Sequence, residues 1–145
     1  MSGAKVLIAF DFGQRRIGVA TGNLLTRTAS PLTTVKVGAE VPWQDIDRII
    51  AEWRPERLVV GRPSNKGPLA ARVARFIAAL EQRYGLDVAT VDETLTSHAA
   101  HAELRDARRA GYLRRKHGNR ALLDRHAARL IAEQWLSERQ ETANE

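Results

Sequence analysis

The sequence predicts one α/β domain, a five-stranded mixed sheet flanked by helices. Three strand-like apolar segments follow one another near the N-terminus, which indicates an antiparallel meander. Beyond them the hydrophobic period changes to helix, strand, helix and strand, a pattern typical of parallel strands joined by helical crossovers. The chain has 145 residues, of which 43% are hydrophobic, so it can bury a core. We therefore expect a three-strand antiparallel meander plus two parallel strands.

The meander is predicted from the first quarter of the chain. Residues 5–11 and 17–23 are apolar runs joined by a short turn that contains glycine, so they are expected to form a hairpin. Residues 32–37 are rich in β-branched side chains and are bounded by Pro31 and Gly38, which predicts the third strand.

Two helices and two strands are predicted to follow the meander. Apolar side chains recur at helical spacing over residues 43–53, where Pro55 ends the helix, and again over residues 69–84. Residues 58–61 and 87–91 are short apolar segments between and after these helices. We expect both segments to be buried strands.

The C-terminal part alternates between helical and irregular patterns. Residues 96–109 can form a helix, whereas the basic segment 105–120 lacks an apolar period and is expected to be mobile. A last amphipathic helix is predicted over residues 120–139. The single domain is thus expected to span residues 1–139, followed by a polar tail at 140–145.

The composition excludes several classes of site. The chain has no cysteine, which excludes disulfides, thiolate zinc sites and cysteine nucleophiles. It has no apolar run long enough to span a bilayer and no signal-peptide pattern at its start. A cytoplasmic protein that does not contact a membrane is the expectation.

The positive charge is concentrated in one segment. Residues 105–120 hold seven Lys or Arg against one Asp, which accounts for the whole net charge of +6. A dense basic segment is typical of a polyanionic partner, most often nucleic acid. The alternative is a solvated basic loop without a partner.

Three acidic residues lie where a sheet edge would bring them together. Asp11 ends the first predicted strand, Glu93 follows the fifth, and Asp124 shares a helix face with Ala128 and Ile131. Sites of α/β proteins lie at the edge where strands end. Three carboxylates at one edge would repel one another without a cation, and oxygen ligands favour Mg²⁺ or Mn²⁺ over zinc.

Each acid also has a purely structural interpretation. Asp11 could cap the turn that follows it, and Glu93 could be an acid at a helix start. Asp124 could pair with Arg120 or Arg125. The residues alone leave these alternatives open, although three such placements together favour a shared site.

Four segments resemble the YqgF/RuvX family, whose members are related to the RuvC-type Holliday junction resolvases. They are "DFGQRRIGVA", "VVGRPSNKG", "VDETLTSHAA" and "LDRHAARLIAEQWL", and they follow the family's order and spacing from residue 5 to residue 135. The resemblance implies an RNase H-like fold and a nuclease that hydrolyses phosphodiester bonds in structured nucleic acid. In bacteria the family is linked to maturation of the 5′ end of 16S ribosomal RNA, so precursor rRNA is the favoured partner.

The resemblance also implies roles for particular residues. Asp11, Glu93 and Asp124 would be the catalytic acids and would hold two Mg²⁺ or Mn²⁺ ions, with Asp92 as a reserve ligand. Seven basic residues are expected to contact backbone phosphates, namely Arg15, Arg16, Arg62, Lys66, Arg114, Arg115 and Lys116.

Several positions depart from the family pattern. Arg62 occupies a position that is usually Leu, Thr94 one that is usually Arg, and the loop at 64–67 is shortened. A fourth acid of the resolvases is replaced by Ala121. Two alternatives to an rRNA nuclease therefore stay open: a resolvase that cuts four-way DNA as a dimer, and a non-catalytic RNA-binding factor in transcription or ribosome assembly. The sequence is compatible with a monomer or a homodimer.

Overall fold

A computed structural model of the chain describes residues 5–63, 67–92 and 116–143, with the side chains of residues 125–139 in the last range. The elements in these ranges are β1 (Val6–Phe12), β2 (Arg16–Asn23), β3 (Thr28–Lys36), α1 (Trp43–Trp53), β4 (Arg57–Arg62), α2 (Pro68–Tyr84), β5 (Val88–Asp92) and α3 (Lys116–Ala143). No helix within the described residues has the length and apolar character needed to cross a membrane.

The five strands form one mixed sheet in the order β3-β2-β1-β4-β5. β1 pairs antiparallel with β2, and β2 pairs antiparallel with β3. β4 lies parallel to β1, and β5 lies parallel to β4. The predicted meander and the two added parallel strands are thereby confirmed. In this arrangement β1 is central, and the carboxyl ends of β1, β4 and β5 meet at one edge.

Helices α1 and α2 end where local sequence requires. Gly85 follows α2 with a φ of 65°, and its N–H donates to the Glu81 carbonyl at 2.9 Å, which closes the last turn. Arg54 closes α1 in the same left-handed conformation, with a φ of 45°, and Pro55 follows it. Pro68 occupies the first turn of α2, where its missing N–H costs no helical hydrogen bond.

One face of the sheet packs against α1 and α2. Alternate residues of β1, which are Ile8, Phe10 and Phe12, are buried there. Phe76 of α2 is 2% exposed, and its ring meets that of Phe10 edge-on at a centroid separation of 5.5 Å. Trp43 of α1 stacks on the same Phe76 ring at 5.8 Å. The aromatic contacts join both helices to the central strand.

A polar clasp joins α1 to α2 at the surface. Arg83 donates two hydrogen bonds to the carboxylate of Asp47, at 2.8 and 2.6 Å, and the Tyr84 hydroxyl donates a third at 2.6 Å. The hydrogen bonds from Arg83 and then from Tyr84 lower the pKa of Asp47 to about 2. The clasp therefore favours the ionised carboxylate in the folded state.

Helix α3 covers the other face of the sheet. Small side chains meet at this contact, since Ala9, Ala20, Ala128 and Ala132 are all fully buried. Small residues on both sides let the helix approach the strands closely. Trp135, which the sequence predicts to lie on an apolar helix face, is 8% exposed within the same cluster.

The predicted start of the third strand was wrong. β3 begins at Thr28 and includes Pro31, because it is an edge strand, where a missing backbone N–H is tolerated. A register shift between Val19 and Ala20 of β2 accommodates one extra residue of β3 near this proline.

The predicted limits of the last helix were also too narrow. α3 begins at Lys116 and contains Gly118, so the basic segment ends in helix rather than in a loop. Glycine inside a helix costs only about 1 kcal/mol relative to alanine, too little to end a long helix that is anchored by buried residues further along. The backbone continues as helix to Ala143, into the predicted tail. The helix predicted at 96–109 lies outside the described residues.

Candidate active site at the edge of the sheet

Asp11 lies near the carboxyl end of the central strand β1 and faces helix α3. Side chains alternate along a strand, and Leu7 and Ala9 of β1 are buried in the cluster that contains α3. Asp11 continues this alternation, whereas its neighbours Phe10 and Phe12 are buried on the opposite face. The Asp11 side chain is partly exposed. A carboxylate is thus held by a rigid strand at an accessible edge.

Glycine lies beside Asp11 on both neighbouring strands. Gly18 of β2 pairs directly with Asp11. On the other side Phe10 pairs with Val60, so the same register sets Gly61 of β4 beside Asp11. Neither glycine places a side chain beside the carboxylate, and both glycines are themselves buried.

The turn that follows Asp11 is tight and requires a glycine. The N–H of Gly13 donates to the carbonyl of Arg16 at 2.9 Å. A Cβ on Gly13 would lie only 2.7 Å from that carbonyl oxygen, which is closer than real Cβ atoms come. Gly13 therefore fixes the β1–β2 connection directly beyond the acid.

Helix α3 reaches the row of residues that contains Asp11. Thr34 of β3 pairs with Gly18, which in turn pairs with Asp11. The Nε of Arg125 in α3 donates to the Thr34 hydroxyl at 3.2 Å. The backbone of position 124 immediately precedes Arg125 and lies one helical turn before the buried Ala128. The helix thus passes over the sheet edge where Asp11 lies.

The convergence of the three predicted acids stays a prediction. Glu93 lies outside the described residues, as does the side chain of Asp124. Among the residues that the structure does describe, no group of three His, Cys, Asp or Glu side chains could hold a metal ion. Val91 and Ala89 of β5 lie in the hydrophobic cluster that contains α3. In the sequence, Glu93 comes two positions after Val91.

Two of the predicted phosphate contacts flank the same edge. Arg15 is exposed in the β1–β2 turn, where its carbonyl accepts a hydrogen bond from Val37 at 2.8 Å. Arg16 begins β2, pairs with Lys36 of β3, and shares the strand face of Gly18. Lys36 is an exposed cation that the sequence analysis had not selected.

The other predicted contacts divide into two groups. Arg62 is exposed at the end of β4, where its backbone is in register with Asp92 of β5. Strand alternation sets Arg62 on the sheet face that packs against α1 and α2, opposite to Asp11. Lys116 is the first residue of α3. The remaining three, Lys66, Arg114 and Arg115, lie outside the described residues.

Gly18 and Gly61 are functional candidates that the sequence analysis missed. A signal for them exists, because an isolated glycine inside an apolar strand often marks a close approach of another group. Their position beside Asp11 could not be read from the sequence, since it depends on the register of β1 with two other strands.

The strand order, with an acid near the end of the central strand and helix α3 packed on the same face, defines an RNase H-like fold. Residues 5–138 match the RuvX family, which carries the description "Holliday junction resolvase". The chain belongs to the RuvX family.

Similar proteins extend over nearly the whole chain. A protein of Sodalis glossinidius, named "Putative pre-16S rRNA nuclease", is 42% identical over 143 residues, which are 95% of this chain and 98% of the relative. A protein of Azotobacter vinelandii with the same name is 40% identical over 145 residues, covering 96% of this chain and 98% of the relative.

Two solved structures share the fold at low sequence identity. The Fowlpox virus resolvase bound to Holliday junction DNA has a TM-score of 0.58 at 12% identity, over 92% of this chain and 97% of the resolvase. The Thermus thermophilus RuvC bound to a Holliday junction has a TM-score of 0.50 at 20% identity, over 94% of this chain and 96% of RuvC. These similarities confirm the RNase H-like fold.

Proposed function

We propose that this protein is a metal-dependent nuclease that hydrolyses phosphodiester bonds of RNA, with the precursor of 16S rRNA as its substrate. One observation carries the proposal: in a RuvX-family sheet, the partly exposed carboxylate of Asp11 lies near the carboxyl end of the central strand, beside helix α3. A partly exposed carboxylate can reach a cation or a substrate, which a fully buried structural acid could not.

The donors fit a hard divalent cation. Asp11 offers carboxylate oxygens at a partly exposed position, and Mg²⁺ and Mn²⁺ prefer such ligands. Asp11, Glu93 and Asp124 are the residues that would hold one or two such ions. When bound, the metal supplies Lewis-acid stabilisation of charge on the phosphate and lowers the pKa of the attacking water.

The protein's own groups position the substrate. Because Asp11 is partly exposed near the end of β1, a phosphodiester can approach it from beyond the strand ends, whereas Gly18 and Gly61 beside it are buried. Arg15 and Lys36 provide exposed positive charge at the same end of the sheet. Contacts to phosphates fix the position of a strand without reading its sequence.

The choice of precursor rRNA rests on the relatives. Two of them share 40–42% identity with this chain over nearly its whole length and carry the pre-16S rRNA nuclease name. At this identity and coverage we expect the substrate class to be shared. A nuclease that matures an end makes one cut in one strand, so each protomer would need only one site.

A metal-dependent cleavage assay tests the proposal directly. Purified protein is incubated with precursor 16S rRNA, an unrelated single-stranded RNA and a four-way DNA junction, each with Mg²⁺, with Mn²⁺ and with a chelator. We expect cleavage of the precursor near the mature 5′ end, dependent on metal. Absence of cleavage of every RNA under all metal conditions would contradict the proposal.

A junction resolvase is the second candidate, favoured by the description of the matching family. To resolve a four-way DNA junction, an enzyme must make two symmetric cuts, and it therefore acts as a dimer with two-fold symmetry. Paired cuts in the DNA junction, with no cleavage of precursor rRNA, would support this candidate over the first.

A further inference from the structure

A second basic surface lies at the end of the sheet opposite to Asp11. It is a cleft of about 740 Å³, and its cations come from four separate parts of the chain. Lys5 precedes β1, Arg27 lies in the β2–β3 turn, Arg57 begins β4, and Arg139 lies on α3. Lys5 and Asp11 are six positions apart along extended strand, which places the two ends roughly 20 Å apart. The opposite cleft is therefore distinct from the candidate active site.

The positive charge of this cleft is largely uncompensated. Lys5 forms a long ion pair with Glu56, at 3.7 Å. In the described part of the chain, Arg27, Arg57 and Arg139 form no ion pair with an acidic side chain. The cleft therefore carries a net excess of positive charge, which would attract a polyanion.

Trp135 holds two of these arginines in place. The guanidinium carbons of Arg57 and Arg139 each lie 5.4 Å from the centroid of the indole ring. The ring itself is 8% exposed, so it supports the arginines and presents little of its own surface. A guanidinium fixed in this way offers donors to phosphate and a flat face on which an unpaired base can stack.

The β2–β3 turn adds a cation and an apolar side chain to the rim. The Asn23 side chain accepts hydrogen bonds from the N–H groups of Leu25 and Thr26, at 2.8 and 3.0 Å, which orders the turn. Arg27 has a φ of 59°, a conformation that non-glycine residues rarely adopt. Leu25 is 74% exposed, and among the described residues it is the large hydrophobic side chain that faces solvent. A base could pack on Leu25 while its phosphate contacts Arg27.

We propose that this cleft is a second binding site for single-stranded RNA, which anchors the substrate away from the edge where Asp11 lies. Uncompensated cations favour the phosphates, and the supported guanidinium faces with Leu25 favour unpaired bases. The concave shape and the single exposed apolar side chain among the described residues suit a strand better than a membrane surface. The inference rests on the proposed function for the identity of the ligand, RNA.

Paired charge variants test the cleft. Arg27→Gln/Arg139→Gln removes two exposed cations of the cleft, and Arg48→Gln/Arg54→Gln removes two exposed cations from α1 and its end as a matched control. Arg54 has the same left-handed conformation as Arg27. Binding of single-stranded RNA is measured by fluorescence anisotropy across a salt series, in chelator, so that a failure to bind is distinguished from a failure to cleave.

We expect the cleft variant to bind at least fivefold more weakly at low salt. Its slope of log K against log salt should become shallower by about 0.7 for each lost contact, or about 1.4 for two. The control variant should keep the wild-type affinity and slope. Equal affinities and slopes for the two variants would overturn the proposal, provided that thermal unfolding shows both to be folded.

A spectroscopic measurement on the wild-type protein locates the contact, and a substitution in the cleft serves only to assign the resonance. The indole N–H resonance of Trp135, assigned with Trp135→Phe, should shift when single-stranded RNA is added to ¹⁵N-labelled wild-type protein, because the adjacent guanidinium groups would move onto the ligand. A resonance that stays fixed while RNA binds would overturn the proposal. A shift caused by vesicles of acidic lipid but not by RNA would replace RNA with a membrane as the ligand.

Discussion

Asp11 is the residue through which the proposed chemistry can be tested most directly. Replacing Asp11 with Asn keeps the size of the side chain and removes its charge, so a bound cation loses a ligand. We expect metal-dependent cleavage to fall by more than about a hundredfold. Without metal the variant should be at least as stable as the wild type, because repulsion among acids at the edge is reduced. Cleavage rates and thermal unfolding measure the two effects.

Asp87 provides a matched control for Asp11. It is exposed in the loop before β5, at the opposite end of the sheet, so Asp87→Asn makes the same chemical change away from the site. Its activity should equal that of the wild type. If Asp11→Asn cleaved as fast as Asp87→Asn in saturating Mg²⁺, Asp11 would not be a metal ligand.

Gly13 tests whether the turn after Asp11 is a steric requirement. In Gly13→Ala the new Cβ would lie 2.7 Å from the Arg16 carbonyl oxygen, so the β1–β2 connection must shift. Overpacking of this kind costs about 1–3 kcal/mol. In Gly38→Ala nothing lies within 4 Å of the new Cβ, and stability should be unchanged or slightly higher. Chemical denaturation compares the two, and equal losses would contradict the steric argument.

Helices α1 and α2 are joined by a clasp whose strength depends on pH. The pKa of Asp47 falls from 3.8 to about 2 on folding, because Arg83 and Tyr84 donate to the ionised carboxylate. A lowered pKa of an acid stabilises the folded state above pH 3.8, and the stabilisation is lost as the pH falls through about 2. The clasp should therefore contribute fully at neutral pH.

Asp47→Asn tests the clasp at the scale of these two helices. The urea midpoint of the variant should lie below that of the wild type at pH 7, and the difference should shrink between pH 4 and pH 2. Asp45→Asn is the control, since Asp45 lies on the same helix and reaches Arg48 only at 3.9 Å. A difference between Asp47→Asn and wild type that is constant over this pH range would exclude a role for the ionised carboxylate.

At the scale of the whole molecule, positive charge is concentrated in two places, one set by the sequence and one formed by folding. The sequence concentrates the net charge of +6 in residues 105–120, whereas the remainder of the chain is balanced. Folding nevertheless gathers Lys5, Arg27, Arg57 and Arg139 into one cleft from within that balanced remainder. Net charge by segment therefore underestimates how many basic surfaces the protein presents.

The basic segment is expected to bind phosphates independently of sequence. Changing Arg114, Arg115 and Lys116 to Ala should weaken binding to RNAs of different sequence by similar factors, because phosphate contacts carry no base information. The salt slope should become shallower by about 0.7 per lost contact on single strands. Cleavage at saturating substrate should persist, since the three acids are unchanged. Identical salt slopes for wild type and variant would show that these three residues are solvated and make no phosphate contact.

The sequence by itself determined the order and type of the described elements. Alternation in residues 5–11 and helical spacing in residues 43–53 and 69–84 arise from local periodicity, which a single chain displays directly. Four sequence motifs, one of them around Asp11, indicated the family, because residue types and their spacing are also read directly from the chain. Element limits were less predictable: Pro31 is tolerated because β3 is an edge strand, and Gly118 because α3 is anchored elsewhere.

Tertiary structure alone decided which residues surround Asp11 and where the second basic cleft lies. Gly18 and Gly61 lie beside the acid because of the register of β1 with β2 and β4, and a shift of one residue would turn either strand over. Arg57 and Arg139 meet on Trp135 because α3 packs onto the small side chains of the sheet, which brings Arg139 close to the start of β4. No local signal in the sequence specifies this contact. Register and packing depend on residues far apart in the chain, so a local pattern cannot encode them.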